Sequence, residues 1–201
     1  MSNILLLGSS SASRRALLEG AQIKFKVVSQ SADETLCDWN LALQPLVEQI
    51  AVYKMDHVIM PSGNDGDLSF VLTADSLTQD FQGGIHGKPI DRADAMKKLK
   101  AVRKGARVGT AFCLDKKIFK AGSWCVEKRI VQFVVATCFF DIPDAWLGKY
   151  LDLGRGVGVS GGIRIEGFGF LFLKSVEGSY TTILGLPMFE LREALEEIGF
   201  Y

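Results

Sequence analysis

The N-terminal segment of the chain combines residue types that bind anions. Gly8 and a group of serines separate a short apolar run from two adjacent arginines, Arg14 and Arg15. A loop of this kind at the start of a helix presents free backbone N–H groups at the positive end of the helix dipole, and guanidinium groups match phosphate oxygens. The pattern predicts a phosphate-binding loop, although it lacks the P-loop spacing GxxxxGK(S/T). The alternative is that the serines only cap the helix and the arginines form a solvated face.

Two further charged residues could act on a bound anion. Lys54 shares one face of a predicted helix with Val47 and Ile50, so its ammonium group either lies at the edge of the core or points into a cleft. Asp75 ends an apolar run, and the ligands of α/β sheets collect beyond the carboxyl ends of strands. Its carboxylate could hold a metal ion or accept a proton from water. The alternative for Asp75 is a residue that only begins a turn.

Other well-known site chemistries find no support in the sequence. Residues 156–161 read GVGVSG and match GxGxxG, but a helix pattern precedes them and an apolar, strand-like piece follows, whereas a dinucleotide fingerprint needs a strand before and a helix after. His57 and His86 have no partners at metal-ligand spacing, and no Ser-His-Asp arrangement is apparent. No two of the four cysteines are spaced as CxxC, so a zinc site is not expected. Cys113 and Cys138 lie in apolar runs and are expected in the core.

Composition and charge are those of an ordinary globular protein. Of the 201 residues, 48% are hydrophobic, and 23 Lys and Arg balance 23 Asp and Glu. A balanced charge gives no reason to expect binding to a nucleic-acid polymer or to a membrane. The N-terminus lacks the features of a signal peptide, and no window approaches a membrane span. We therefore expect a single domain, residues 1–201, located in the reducing cytoplasm.

The elements that must position these residues alternate between strands and helices, which predicts an α/β fold. Strands are predicted at 3–7, 25–29, 68–75, 107–114 and 130–139. Helices are predicted at 13–19, 44–57, 91–102, 143–153 and 187–198, and a hairpin or loop at 81–89.

Six short motifs, taken in order along nearly the whole chain, resemble the Maf family of nucleotide pyrophosphatases. They are Ser9, Ser11, Arg14, Arg15, Leu17 and Leu18; Asp33-Glu34; Lys54; Thr73-Ala74-Asp75-Ser76; Gly87-Lys88-Pro89; and, near the end, Glu166-Gly167 with Gly185-Leu186-Pro187. Each motif is short, but all six in the right order are specific.

The resemblance implies a fold and a reaction. The fold is an elongated mixed-sheet α/β fold similar to that of inosine triphosphate pyrophosphatases, with two lobes around a central cleft. The reaction is hydrolysis of a nucleoside triphosphate, the expected partner, to the monophosphate and pyrophosphate with a divalent cation, Mg²⁺ or Mn²⁺. The sequence leaves the oligomeric state open, with a homodimer as one form.

The resemblance also implies roles for particular residues. Asp75 would be the general base that activates water at the α-phosphorus, and Glu34 together with Asp75 would hold the divalent cation. The residues expected to bind the triphosphate are Ser9, Ser11, Arg14, Arg15, Lys54 and Lys88.

Three positions are associated in the family with the choice of base, here Ser13, Ser76 and Glu166. Glu166 resembles the branch associated with 7-methyl-GTP, because a carboxylate accepts hydrogen bonds from the N1 and N2 donors of guanine. Ser13 and Ser76 match neither that branch, which has Trp and Gln, nor the pyrimidine branch, which has Arg and Thr.

Two alternative functions remain beside the enzyme. One is a nucleotide-binding regulator of cell division or septum formation, and the other is a phosphomonoesterase that releases orthophosphate. A pure binder needs no water-activating base, so the presence of Asp75 beside four candidate cations favours catalysis.

Overall fold

The computed structural model describes residues 3–154 and 158–201, which form a mixed seven-stranded sheet with helices along its strands. The strands are β1 (Leu5–Leu7), β2 (Phe25–Val27), β3 (Leu68–Gln79), β4 (Ile85–His86), β5 (Gly105–Lys120), β6 (Ser123–Phe140) and β7 (Leu173–Glu177). The helices are α1 (Ala12–Gly20), α2 (Leu43–Asp56), α3 (Arg92–Val102), α4 (Leu147–Gly154), α5 (Tyr180–Ile183) and α6 (Met188–Glu197). The predicted α/β class is confirmed, and the central cleft stays a prediction.

The strands follow the order β2-β1-β3-β5-β6-β7, and β4 pairs with the end of β3. β1 runs parallel to both β2 and β3, whereas β4 is antiparallel to β3 and β7 is antiparallel to β6. A two-residue turn, Ala121-Gly122, joins β5 to β6. Both turn residues have positive φ angles, 50° and 81°, as a tight hairpin between right-twisted strands requires.

The chain divides into two compact units. The first contains the residues up to Asp75 together with Thr110–Val134 and Leu184–Tyr201, and the second contains Ser76–Gly109 and Val135–Ile183. The chain passes from one unit to the other within β3, β5 and β6, and again at the end of α5.

The first unit is built around the apolar side chains of β1 and β3. Both strands are buried almost throughout, as expected for strands covered on both faces. The core of this unit consists of Leu5, Leu7, Leu18, Phe70, Leu72, Ala74, Phe112, Leu114, Leu186, Leu191, Ala194, Leu195, Ile198 and Phe200. α1 and α6 each contribute one apolar face to this core, which fixes the loop that precedes α1.

The second unit contains an aromatic cluster that holds the segment after α4. Tyr150 is fully buried and packs edge-on against Phe172, with ring centroids 5.6 Å apart. The Tyr150 hydroxyl donates to the carbonyl of Arg164 at 2.7 Å and accepts from the Arg164 N–H at 3.1 Å. These two hydrogen bonds fix the backbone two residues before Glu166.

Several predicted boundaries are wrong. β3 continues to Gln79 instead of ending at Asp75, because a buried lysine compensates the carboxylate and the strand can carry it in its interior. The predicted helix at 143–153 begins with a 3₁₀ turn, Asp144–Trp146, before α4 starts. The strand-like piece expected after Gly161 is irregular backbone between two 3₁₀ turns, Ser160–Gly162 and Gly167–Leu171.

β5 and β6 are also longer than predicted, Gly105–Lys120 against 107–114 and Ser123–Phe140 against 130–139. Other predictions agree more closely with the structure. The predicted hairpin or loop at 81–89 contains β4, paired with the end of β3. Cys113 and Cys138 are fully buried as expected. Gly156 and Val157 of the glycine-rich segment lie outside the described residues. Among the residues described, no helix combines the length and the apolar character that crossing a membrane requires.

Candidate active site

Lys54 lies between two carboxylates of the first unit. Its Nζ is 2.6 Å from Asp75 Oδ1 and 2.7 Å from Glu34 Oε1. Lys54 comes from the last turn of α2, Asp75 from β3, and Glu34 from a 3₁₀ turn between β2 and α2. The side chains of Lys54 and Asp75 are buried, whereas that of Glu34 is 39% exposed. The ammonium group of Lys54 is therefore paired with two carboxylates and does not lie in solvent at the edge of the core. That it points into a cleft stays a prediction.

Asp75 keeps one carboxylate oxygen without a partner. Its Oδ2 is buried and makes no hydrogen bond within the described part of the chain. A buried polar atom without a partner costs about 1–3 kcal/mol. A carboxylate that retains such an atom in the buried interior of a strand is typical of a site that meets a ligand.

The loop before α1 orients one of the two arginines. Ser11 is the N-cap of α1, and its side chain accepts from the Arg14 N–H. Ser9 Oγ accepts from the Ser11 N–H at 3.3 Å and from Arg14 Nη1 at 3.1 Å. Arg14 Nε donates to the carbonyl of Gly185 at 2.7 Å. Ser11 thus caps the helix, as the simpler alternative predicts, and Ser9 holds a buried guanidinium group.

Arg14 and Arg15 have different environments. Arg14 is buried and Arg15 is exposed. Burial lowers the pKa of the Arg14 guanidinium, and the negative charges of Asp75 and Glu34 oppose that shift. Arginine keeps its charge in proteins even so. The first unit therefore brings two buried cations, Arg14 and Lys54, into electrostatic range of two carboxylates, while the role predicted for Arg15 stays a prediction.

Lys88 lies in the second unit with its backbone fixed and its side chain exposed. Three donors hold the consecutive carbonyls of residues 86, 87 and 88, namely Ser160 Oγ at 2.5 Å, the Gly161 N–H at 3.2 Å and Lys98 Nζ at 3.1 Å. Ser160 Oγ also accepts from the Thr78 N–H at 3.0 Å. This arrangement restricts the backbone of the Gly-Lys-Pro segment and leaves the ammonium group of Lys88 in solvent.

The three positions associated with base choice are all half-buried. Ser13 lies in the first turn of α1, and Ser76 follows Asp75 on β3. Glu166 directly precedes the 3₁₀ turn Gly167–Leu171, with its carboxylate 3.6 Å from Arg164 Nη2. Burial and, second, the charge of Glu166 raise the pKa of Tyr180, so a tyrosine lies within electrostatic range of this carboxylate.

Sequence reasoning missed three residues around the buried charges. The Gly185 carbonyl accepts a hydrogen bond from Arg14, whereas the sequence identifies this glycine only as part of the motif Gly185-Leu186-Pro187. Thr73 binds the backbone of α2, and no sequence pattern reports such a bond. Cys37 is buried beside the site, where burial and then the charges of Glu34 and Asp75 raise the pKa of its thiol. A thiol held in the protonated form is a poor nucleophile.

The two histidines have local partners. His86 Nε2 is 2.7 Å from Asp80 Oδ2, and His57 Nδ1 is 2.8 Å from the carbonyl of Tyr53. Across the residues that are described, no group of three or more His, Cys, Asp or Glu side chains could hold a metal ion. A cation bound by Asp75 and Glu34 would therefore need further ligands from elsewhere.

Comparison with known proteins agrees with the motifs. The family model described as "Maf-like protein" matches residues 4–198. A dTTP/UTP pyrophosphatase of Fusobacterium nucleatum subsp. nucleatum is 31% identical over 200 residues, which cover 98% of this chain and 96% of the relative. A dTTP/UTP pyrophosphatase of a Shewanella species is 33% identical over 202 residues, covering 97% and 98%. A nucleoside triphosphate pyrophosphatase of Prochlorococcus marinus is 31% identical over 210 residues, covering 98% of each.

Fold and site together define an α/β protein with a buried cluster of basic and acidic side chains beside a serine-rich helix start. The chain belongs to the Maf-like family, whose model spans nearly all of it. The resemblance predicted from the six motifs is confirmed. The relatives named above are pyrophosphatases and therefore hydrolases.

Proposed function

We propose that the protein is a nucleoside triphosphate pyrophosphatase, which hydrolyses its substrate to the nucleoside monophosphate and pyrophosphate. One observation carries the proposal: Asp75 is buried, its Oδ1 is bound by Lys54, and its Oδ2 has no partner among the described residues. Lys54 thus orients the carboxylate and leaves one oxygen available to a water molecule or a ligand. The names of the relatives support the same reaction.

Asp75 is the proposed general base. Its Oδ2 takes a proton from water while the water oxygen attacks the α-phosphorus, and the bond from that phosphorus to the α–β bridging oxygen breaks. The electron pair of the broken bond leaves with pyrophosphate. General base catalysis contributes on the order of 10²–10⁴ in rate.

The proposed triphosphate ligands are hydroxyl and cationic groups. Ser9 and Ser11 lie in the loop before α1, where backbone N–H groups and the helix dipole favour an anion. Arg14 and Lys54 would neutralise charge that develops on the leaving oxygen, and charge-assisted hydrogen bonds contribute about 1.5–3 kcal/mol each. Arg15 and Lys88 are carried over from the family resemblance as further phosphate ligands.

A divalent cation fits the acidic residues present. Asp75 and Glu34 would hold it, since Mg²⁺ and Mn²⁺ prefer oxygen ligands, and Mg²⁺ commonly takes one or two carboxylates and completes its shell with phosphates and water. The half-exposed carboxylate of Glu34 is such a donor. The bound ion would supply neutralisation of phosphate charge.

We also propose that the protein acts in the cytoplasm, which suits its four unpaired cysteines.

The base of the substrate is proposed to contact Ser13, Ser76 and Glu166. A carboxylate at position 166 suits a guanine-type base, plain or modified. The relatives named dTTP/UTP pyrophosphatase make pyrimidine triphosphates the competing candidates.

A panel of triphosphates with Mg²⁺ or Mn²⁺ tests the proposal. We expect pyrophosphate release from at least one member of a panel containing methylated GTP, UTP and dTTP. Asp75→Asn should lower turnover by on the order of 10²–10⁴ and leave binding of a non-hydrolysable triphosphate largely intact. Asp65→Asn, a change of the same type in an exposed loop, should turn over like the unmodified protein.

Two results would point to the alternative functions. Binding of triphosphates without turnover of any panel member would favour the regulator of cell division or septum formation. Release of orthophosphate in place of pyrophosphate would favour the phosphomonoesterase.

A further inference from the structure

Two parallel links join β3 to α2. Thr73 Oγ1 donates to the carbonyl of Ala51 at 2.7 Å, and Lys54 Nζ donates to Asp75 Oδ1 at 2.6 Å. Thr73 and Asp75 are two residues apart on a strand and so share one face. Ala51 and Lys54 are three apart on a helix and are neighbours on its surface. The hydrogen bond between Thr73 and Ala51 therefore lies two residues along the strand and about one helical turn from the Lys54–Asp75 pair.

The Thr73 link is as buried as the ion pair beside it. Thr73 and Ala51 are both fully buried, so the hydroxyl has no solvent to exchange with when the bond is lost. Removal of the Thr73 hydroxyl would take one hydrogen-bond donor from the Ala51 carbonyl, in the turn of α2 that carries Lys54. The hydrogen bond from Thr73 thus helps to position Lys54 relative to β3.

The methyl group of Thr73 faces the loop between β1 and α1. A Cβ atom built on Gly8 would lie 2.9 Å from Thr73 Cγ2 and 3.0 Å from Val58 Cγ2, closer than side chains approach. The Gly8 N–H also donates to the carbonyl of Leu72, the neighbour of Thr73, at 2.8 Å. Gly8 leads directly into Ser9, so the Thr73 methyl packs against the start of the loop that holds Arg14.

We propose that Thr73 is a positioning residue for the proposed hydrolysis, on which this inference rests. Its hydroxyl sets the turn of α2 that carries Lys54, and its methyl sets the start of the loop that carries Ser9. Asp75 follows on the same face of the same strand. One side chain thereby fixes the relative placement of the general base, its lysine partner and the phosphate-binding loop, without touching substrate.

The two halves of the side chain can be removed separately. Thr73→Val keeps the methyl and loses the hydroxyl, and we expect kcat to fall about 10-fold with KM little changed, as for other residues that orient a catalytic group. Thr73→Ser keeps the hydroxyl and should retain kcat, while KM rises because the loop loses its contact. Ser69→Ala is the control, since it removes a buried hydroxyl from the same strand four residues earlier.

Amide hydrogen exchange of the unliganded protein tests the same inference without turnover. Thr73→Val should speed exchange in the last turn of α2, residues 53–56, whereas Thr73→Ser and Ser69→Ala should not. The positioning role would be overturned if Thr73→Val matched Ser69→Ala both in kcat and in the amide exchange of residues 53–56. Absence of turnover in the unmodified protein would refute the proposed function instead, and the exchange of residues 53–56 would still decide whether Thr73 fixes this turn.

Discussion

Lys54 Nζ lies 2.6 Å from Asp75 Oδ1, and both side chains are buried. A second carboxylate, Glu34, lies 2.7 Å from the same nitrogen. Desolvation of buried ions offsets much of their attraction, so such a cluster is weak evidence for stability. Its position beside an unpartnered carboxylate oxygen instead supports the proposed binding of a charged substrate.

Lys54→Met should destabilise the fold and abolish turnover. The two carboxylates would lose the ammonium group between them, and removal of one member of a buried ion pair costs about 3–5 kcal/mol. Because the side chain of Glu34 is 39% exposed, we expect the free energy of unfolding measured with urea to fall by the lower end of this range, about 3 kcal/mol. Lys26→Met changes the net charge equally at an exposed site and should cost little. The double variant Lys54→Met/Asp75→Asn should regain part of the loss, and equal stability of the single and double variants would contradict a buried pair.

Gly185→Ala should weaken the placement of Arg14. Gly185 has φ of 102°, a conformation that an L side chain adopts only with strain of about 1–3 kcal/mol. Its carbonyl accepts from Arg14 Nε, so a shift of this backbone also moves a buried cation. We expect lower stability in urea unfolding together with a several-fold rise in KM. Gly83→Ala is the matched control, because Gly83 also has a positive φ, 95°, and an added Cβ there meets no atom within 4 Å. An equal rise in KM in the two variants would rule out a special role for Gly185.

The elements of the fold were largely predictable, and their exact limits were not. Apolar runs and caps located β1, α1 and α3, and Asp91 does cap α3 by accepting from the Asp94 N–H. The end of β3 was misplaced because the charge of Asp75 interrupts the apolar pattern. The lysine that compensates this charge is 21 residues away in sequence, and no local pattern reports such a partner.

The candidate site was predictable only in its residue types. The motifs named Arg14, Lys54 and Asp75, and the structure brings Lys54 into contact with Asp75. The partners that orient them are a backbone carbonyl at Gly185 and the hydroxyl of Thr73. Backbone acceptors and single hydroxyls carry no sequence signature, so tertiary structure is needed to find them.

Glu166→Gln should shift the choice of base. A carboxylate accepts from both donors of a guanine edge, whereas an amide offers one oxygen and places a donor against the other. We expect kcat/KM for guanine triphosphates to fall about 10-fold relative to UTP and dTTP. Glu177→Gln, at an exposed position of β7, should leave the ratios unchanged. Unaltered ratios in Glu166→Gln would remove this residue from base recognition.

Asp80 should make the fold sensitive to acid. Burial opposes ionisation of this carboxyl, but hydrogen bonds from His86 and from the backbone N–H groups of Gly84 and Gln82 outweigh it and hold the pKa below its ordinary value of 3.8. Since the pKa is lower in the folded protein, the unfolded chain takes up the proton first, so the contribution of Asp80 is present above about pH 4 and is lost below it.

Asp80→Asn measures this contribution. The variant should be less stable than the unmodified protein at about pH 5, by about 1–3 kcal/mol from weakened hydrogen bonds, and the difference should shrink as the pH falls to about 2.5. Urea unfolding at a series of pH values in this window gives the difference directly. Asp65→Asn serves as the control in an exposed loop. A difference that stays constant across the window would mean that the Asp80 carboxyl does not titrate differently in the folded and unfolded states.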